Sequence, residues 1–456
     1  MGFSEIPPPP EEHPGQDEPV IRVRPPGPQS RTWLTRAMQH GAPMGPTFEA
    51  EQRGLVRAAV PPSAIVYSTA LGSNVLDVDS NRYVDLAAGF GAMLVGHRHP
   101  YVIRVLNLQS ERLLQALGDV HPSEAKIALM ERLARLYPER GAKVILGQSG
   151  ADAVTAALKT AALFTGKPGV LAFRASYHGL SYGPLAATGL RDSYREPFAA
   201  QLNPHVGFIG YPGDQAELDA VLTEARAVLA RGETGAVLVE PILGRGGCVV
   251  PPDGFLRELR ALTRERGALL LADEIWTGLG RSGEQLYSLR GGVVPDLLCL
   301  GKGLGGGVPV SACVGSGDVM AAWRREQEVV HTATFAGAPL VCTTALATLD
   351  VLQREDLVTR SRELGERLRL QIERVVGDRE DVAAVRGAGL MIGVELRGGP
   401  GAASRLQRRL LERGYIASTG GGRRETLVLT PALTIADRLL DGFVASLRGA
   451  LQASEP

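Results

Sequence analysis

Two short apolar runs between Ala268 and Pro309 each lead to an ionisable residue. Leu270-Leu271-Ala272 leads into Asp273-Glu274-Ile275-Trp276-Thr277-Gly278, and Leu297-Leu298-Cys299-Leu300 leads through Gly301 to Lys302. Runs of this length, bounded by turn residues, read as buried strands of a parallel sheet. Open α/β sheets bind their ligands outside the carboxyl ends of the strands. Asp273 and Lys302 are therefore both expected at a ligand. Gly303, Gly305, Gly306 and Gly307 follow the lysine and let the backbone come close to a bound group.

An amine and a carboxylate so placed suit pyridoxal phosphate. The amine forms a Schiff base with the aldehyde, and the carboxylate keeps the pyridine nitrogen protonated so that the ring withdraws electrons. Taken singly, Asp273 also reads as a helix cap after a strand, and Lys302 as a solvated loop lysine. Together they favour the cofactor. The segments Asp273 to Gly283 (DEIWTGLGRSG) and Pro295 to Pro309 (PDLLCLGKGLGGGVP) resemble the signature of the class III aminotransferases, which are fold-type I pyridoxal-phosphate enzymes. The resemblance runs from about Gly72 to about Ile435. It implies that Asp273 partners the pyridinium, that Ile275 packs on one ring face and that Lys302 forms the internal aldimine.

Composition sets the frame for these elements. A chain of 456 residues suffices for two domains, or for one large α/β domain with a smaller partner. Lys+Arg and Asp+Glu number 49 each, and this balance gives no reason to expect nucleic acid or a membrane as partner. No apolar run approaches the length of a membrane span. The N-terminus is proline-rich and acidic where a signal peptide needs a basic start and an apolar run. Cys248, Cys299, Cys313 and Cys342 lack metal-ligand spacing and read as buried free thiols in a reducing compartment. The expected location is the cytoplasm.

Residues 1–45 read as a proline-rich arm, extended or disordered, that is either a tail or a wrap around a second subunit. A short helix is expected between Arg31 and about Leu55. Residues 46–100 begin a small domain, with a hairpin turning at Asp79-Ser80-Asn81. Residues 101–340 form the large domain, and 341–456 the C-terminal part of the small one. Seven strands are read in the large domain: AKVIL, GVLAF, HVGFI, AVLVE, ALLLAD, DLLCL and VSACVG. Their alternation with helices is an α/β pattern. The resemblance adds that the sheet is mostly parallel with its last strand antiparallel, and that the smaller α+β domain is built from both chain ends.

Strand AKVIL meets Ser149-Gly150-Ala151 and then a helix start, which is a ready anion site. Simple capping by Ser149 reads equally from the residues alone. The resemblance assigns Ser149, Gly150 and Ala151 to the cofactor phosphate. It also assigns Tyr177 to the second ring face and His178 and Glu240 to its surroundings. Thr334 is assigned to the phosphate of a neighbouring subunit, which implies a homodimer with shared sites. Phe90 and Met93 read as either pocket wall or core. His97 and His99 read as structural turn residues and not as metal ligands, because no further ligand is seen near them, and no metal is expected.

Two departures from the family pattern bear on substrate. Many members switch substrates with a Glu and Arg pair. Arg245 stands where that glutamate would follow Gly244, and Val428 stands where the arginine would precede the Pro431-Ala432-Leu433 turn. An apolar side chain cannot pair with a carboxylate. The stretch ETLVLTPAL is similar to the ω-amine:pyruvate subgroup, which implies a mobile arginine upstream; Arg423 and Arg424 are the candidates. Arg245 is a second candidate for a carboxylate or phosphate on the substrate, and Trp276 is a further pocket residue. The expected activity is ping-pong amino transfer from a primary amine or amino acid to a keto or aldehyde acceptor. An aminomutase or a racemase on the same scaffold is the alternative.

Overall fold

A computed structural model of the chain describes residues 13–41, 64–324, 329–377 and 379–452. The Pro7 to Pro10 run and residues 42–55 lie outside the described residues. Strands β1 (Tyr67–Leu71), β2 (Asn74–Asp77) and β3 (Arg82–Asp85) form an antiparallel meander. The β2–β3 turn falls where the sequence indicates. There the Asp77 carboxylate accepts from the N–H groups of Asp79 and Asn81 at 2.9 and 2.8 Å. Such local side-chain bonding is why Asp and Asn favour turns.

The seven runs read from the sequence are all strands of one sheet: β4 (Lys143–Gly147), β5 (Gly169–Phe173), β6 (Val206–Ile209), β7 (Thr234–Val239), β8 (Leu269–Asp273), β9 (Leu297–Leu300) and β10 (Ser311–Gly315). Their order is β4-β10-β9-β8-β7-β5-β6. Strands β5 to β9 pair in parallel, and β10 runs antiparallel to both of its neighbours. Helix Phe255–Arg266 crosses from β7 to β8 and ends on Gly267 at φ 62°, a left-handed cap that glycine adopts without strain. Strands β7 to β10 are buried along their whole length. With both faces covered, they read as continuous apolar runs instead of alternating ones.

Beyond the large sheet, β11 (Val382–Ala388) and β12 (Met391–Leu396) are followed by β13 (Tyr415–Ile416), β14 (Ser418–Gly420) and β15 (Thr426–Leu429). Strands β11, β12, β14 and β15 form a third sheet, while β13 pairs in parallel with β3. The smaller part of the molecule is thus built from both chain ends. Helices Leu357–Val376, Ala402–Leu411 and Asp437–Gln452 bring Leu368, Leu406 and Phe443 into the same core.

Residues 13–27 form neither helix nor strand; they bend repeatedly and make one bridge, Val20 to Arg82. They are tied to their own chain by asparagines of the first hairpin. The Asp17 N–H donates to Asn74 at 2.7 Å, and those of Arg22 and Val23 donate to Asn81 at 2.8 and 3.0 Å. The N-terminal helix spans Pro28–His40, and its Gln29 and Ser30 N–H groups donate to the Asp79 carboxylate. A negative group there suits the helix dipole. No described helix is long and apolar enough to cross a membrane.

Candidate active site

Asp273 is the last residue of β8, and the neighbouring parallel strand β9 ends two residues before Lys302. Asp273 pairs in register with Cys299, so both groups stand at the same carboxyl end of these central strands. Lys302 has φ 41°, a left-handed conformation that costs a non-glycine residue on the order of 1–3 kcal/mol. The 3-10 turn Lys302–Gly305 begins on it.

The Lys302 Nζ lies 4.3 Å from the Trp276 ring centroid. Burial lowers the amine from 10.5 to about 8, against the pull of the Asp273 and Glu240 carboxylates, and Arg245 adds to the lowering. A lysine brought into this range can act as nucleophile and base near neutral pH. Asp273 is itself buried and held in place. His178 Nδ1 lies 2.7 Å from its Oδ2, and the Ile275 N–H donates to its Oδ1 at 3.2 Å. With the proton on Nδ1, His178 donates to the carboxylate. His178 Nε2 is buried without a hydrogen-bond partner among the described residues.

Glu240 follows β7. Its carboxylate accepts from the N–H groups of Tyr177 and Gly244 at 2.6 and 2.9 Å. It thereby joins the segment that carries Tyr177 to the one that carries Arg245. Burial raises its pKa to about 7, with His178 and the two N–H donors opposing and Asp273 reinforcing the rise.

Ser149 caps helix Gly150–Thr165 in a reciprocal box with Asp152. The capping reading is therefore present, and the N–H groups of Gly150 and Ala151 donate to no described residue. They stand at the positive end of the helix, where an anion is favoured. A Cβ on Gly150 would meet Ile275 Cδ1 at 2.9 Å, and one on Gly301 would meet Ile275 Cγ2 at 3.4 Å. Ile275 thus bridges the anion turn and the Lys302 loop. It remains partly exposed while Glu274 and Trp276 beside it are buried. A buried amine of lowered pKa, an oriented carboxylate, two free N–H groups and an open aliphatic face fit pyridoxal phosphate.

The residues expected at the substrate come from separate loops. The Arg245 guanidinium lies 4.5 Å from the Tyr177 ring centroid. It makes no ion pair or side-chain hydrogen bond among the described residues. The Trp276 indole sits between two glycines. A Cβ on Gly91 would come within 2.5 Å of its Nε1, and one on Gly244 within 2.3 Å of its Cε3. Phe90 is half exposed, with φ 58°. Arg424, at φ 57°, lies in the β14–β15 turn, which docks on Arg245 through a 2.7 Å bond from the Gly421 N–H to the Arg245 carbonyl. Val428 is wholly buried, paired between Gly393 and Ser418. Thr334 is exposed, its carbonyl accepting from Gln115 at 2.6 Å, and no described contact links it to Lys302.

Three features escaped the sequence reading. Glu274 is buried and accepts from the Ser288 N–H and the Thr277 hydroxyl. Arg281 is buried without a carboxylate partner among the described residues, and burial lowers its guanidinium to about 9. It donates to the carbonyls of Leu390 and Pro431, tying the C-terminal segments to the loop after β8. The third is a correction. His97 pairs with Asp85 at 2.8 Å as a turn residue should, but His99 does have ligand-type neighbours, His13 and Glu355. They are far away in the chain, and only folding assembles them.

The sequence profile described as aminotransferase class-III matches residues 56–451. The acetylornithine aminotransferase of Mycobacterium tuberculosis is 37% identical over 377 residues, covering 82% of this chain and 89% of that protein. The acetylornithine aminotransferase of Methanopyrus kandleri is 36% identical over 384 residues, covering 84% and 93%. Among solved structures, the ornithine aminotransferase of Toxoplasma gondii superposes with a TM-score of 0.81 at 28% identity, covering 92% of this chain and 94% of that one. An amine transaminase from an uncultivated Pseudomonas species gives 0.82 at 27%, covering 90% and 97%. The chain belongs to the class III aminotransferases, fold-type I enzymes that depend on pyridoxal phosphate.

Proposed function

We propose that Lys302 and Asp273 carry amino transfer between a primary amine or amino acid and a keto or aldehyde acceptor, in ping-pong order. The observation that supports this most is the placement of an amine of lowered pKa and an oriented carboxylate at the ends of adjacent parallel strands. When bound, pyridoxal phosphate supplies an aldehyde that condenses with amines and a ring that withdraws electrons. Lys302 Nζ takes and returns the proton at the substrate carbon. Asp273, aligned by His178, holds the proton of the ring nitrogen. Gly150 and Ala151 donate to the phosphate with Ser149 beside them, and Ile275 and Tyr177 bound the two ring faces.

The substrate carboxylate, where there is one, is assigned to Arg245. It is a guanidinium with no acid of its own in the described chain, and it lies close enough to Lys302 to affect its charge. Val428 excludes a fixed arginine clamp at the position the family often uses. Arg424 approaches on the turn docked to Arg245. Acetylornithine, ornithine and simple amines, the substrates in the names of the relatives, are the first donors to try.

The working assembly is a homodimer in which Thr334 reaches the neighbouring cofactor phosphate. Its exposure supports this, as do the exposed Phe335, Leu114, Leu117 and Val120 around the Gln115–Thr334 bond. Apolar patches of this kind mark interfaces. The four free, buried cysteines fit the cytoplasm.

Half-reaction spectroscopy with single donors tests the reading. Conversion of the cofactor to its amine form by donor alone, reversed by pyruvate or 2-oxoglutarate, is expected. Loss of substrate chirality without that conversion would establish a racemase instead.

A further inference from the structure

His13, His99 and Glu355 converge from three distant segments, with one ligand atom of each lying within 4.8 Å of the others. His99 precedes helix Pro100–Ser110, and Glu355 follows helix Pro339–Arg354. His13 lies on the N-terminal segment, anchored nearby where the Ser73 N–H donates to the Gly15 carbonyl at 2.8 Å. The His13 Nε2 is 2.9 Å from one Glu355 oxygen, and the His99 Nε2 is 3.5 Å from the other. The two rings stand 5.5 Å apart at 53°.

A plain ion-pair cluster accounts poorly for this arrangement. The His99 side chain is only 2% exposed, yet neither of its ring nitrogens has a hydrogen-bond partner among the described residues. Both Glu355 oxygens are also buried, and among the described residues their only close polar neighbours are the imidazoles of His13 and His99, neither in hydrogen-bond geometry. Unsatisfied buried polar atoms are uncommon and point to an unseen ion or water.

Two imidazole nitrogens and one carboxylate oxygen are a zinc-type donor set. Calcium and magnesium prefer all-oxygen shells. Zinc bonds of roughly 2.0–2.1 Å in tetrahedral geometry place ligand atoms ~3.3 Å apart. The two histidine–carboxylate distances, 2.9 and 3.5 Å, run to different oxygens of Glu355, and with one ligand atom of each residue within 4.8 Å of the others, small side-chain rotations bring the three donors to this spacing.

We propose that His13, His99 and Glu355 bind one zinc-class divalent ion, with the fourth position open to water. The ion staples the N-terminal segment to the two helices that flank the active-site loops. It takes no part in amino transfer, so the proposal stands apart from the functional reading.

The test uses tag-free, full-length holoenzyme dialysed against a chelator. Zinc is titrated in competition with a chromophoric chelator, and cobalt(II) is followed by its visible d–d absorption beyond the cofactor band. One ion per chain, with tetrahedral cobalt bands, is expected. His13→Ala and Glu355→Gln should each weaken binding at least tenfold while keeping the cofactor absorbance that reports the fold. Substoichiometric uptake at micromolar free zinc overturns the site. So does zinc affinity in both variants equal to that of the unsubstituted protein.

Discussion

Asp273 and Lys302 stand at the ends of two neighbouring strands, β8 and β9, that are buried along their whole length. Arg245, Trp276, Phe90 and the β14–β15 turn stand on loops from distant parts of the chain, meeting through single contacts such as the Gly421–Arg245 bond. The first group inherits its geometry from backbone pairing, which tolerates little displacement. The second depends on side-chain stacking and docking between loops. A fold organised this way can keep its chemistry constant while its substrate range changes, because loops accept substitution more readily than packed strands do.

Substitutions on each side should separate the two. Lys302→Ala removes the proposed base, and turnover should fall on the order of 10²–10⁴-fold, with loss of the visible cofactor band. Steady-state rates and the absorbance spectrum check this, and retained turnover would refute the strand-end assignment. Asp273→Asn keeps shape but not charge, and kcat should drop ~10²–10³-fold with Tm little changed. A charge-assisted hydrogen bond contributes ~1.5–3 kcal/mol, so Arg245→Ala should raise KM for carboxylate-bearing donors roughly 10–100-fold. Uncharged amines should be unaffected. Equal losses for both donor classes would make Arg245 structural and blur the comparison.

The pH dependence sharpens the lysine's role. Its amine is protonated, and inert as a nucleophile, below about 8. Cofactor uptake by the cofactor-free enzyme should slow by about tenfold per pH unit well below that value and level off above it. A lysine with the ordinary value of 10.5 would show a rate still climbing past pH 9. Stopped-flow absorbance across pH 6–10 distinguishes the two profiles. The smallest effect is expected at Trp276→Phe. An aromatic contact contributes ~0.5–1.5 kcal/mol, so KM should shift only two- to tenfold, and differently for bulky and slender amines.

The strand-end side was legible residue by residue. LLLAD and LLCL are apolar without alternation because both faces of the sheet are covered, and each run leads directly to the group it positions. Ser149-Gly150-Ala151 was legible because a strand, a small-residue turn and a helix start are consecutive in the chain. Glu240 was assigned to the cofactor's surroundings from the resemblance. What its carboxylate does, gripping the backbone at Tyr177 and Gly244, has no sequence signature. Arg281 was visible only as a letter in GRSG, and nothing local reveals that it is buried against two carbonyls from the C-terminal segments.

Local pattern therefore determined the seven strands, the placement of Asp273 and Lys302 at their ends and the Ser149-Gly150-Ala151 helix start, since each depends on residues within a few positions of one another. Tertiary structure alone decided which loops face each other over Lys302, that the Trp276 indole fills the gap between Gly91 and Gly244, and that His13 meets His99 and Glu355. Those contacts join residues tens to hundreds of positions apart. Periodicity and propensity carry no information about partners at such distances, and only the packing of the completed core selects them.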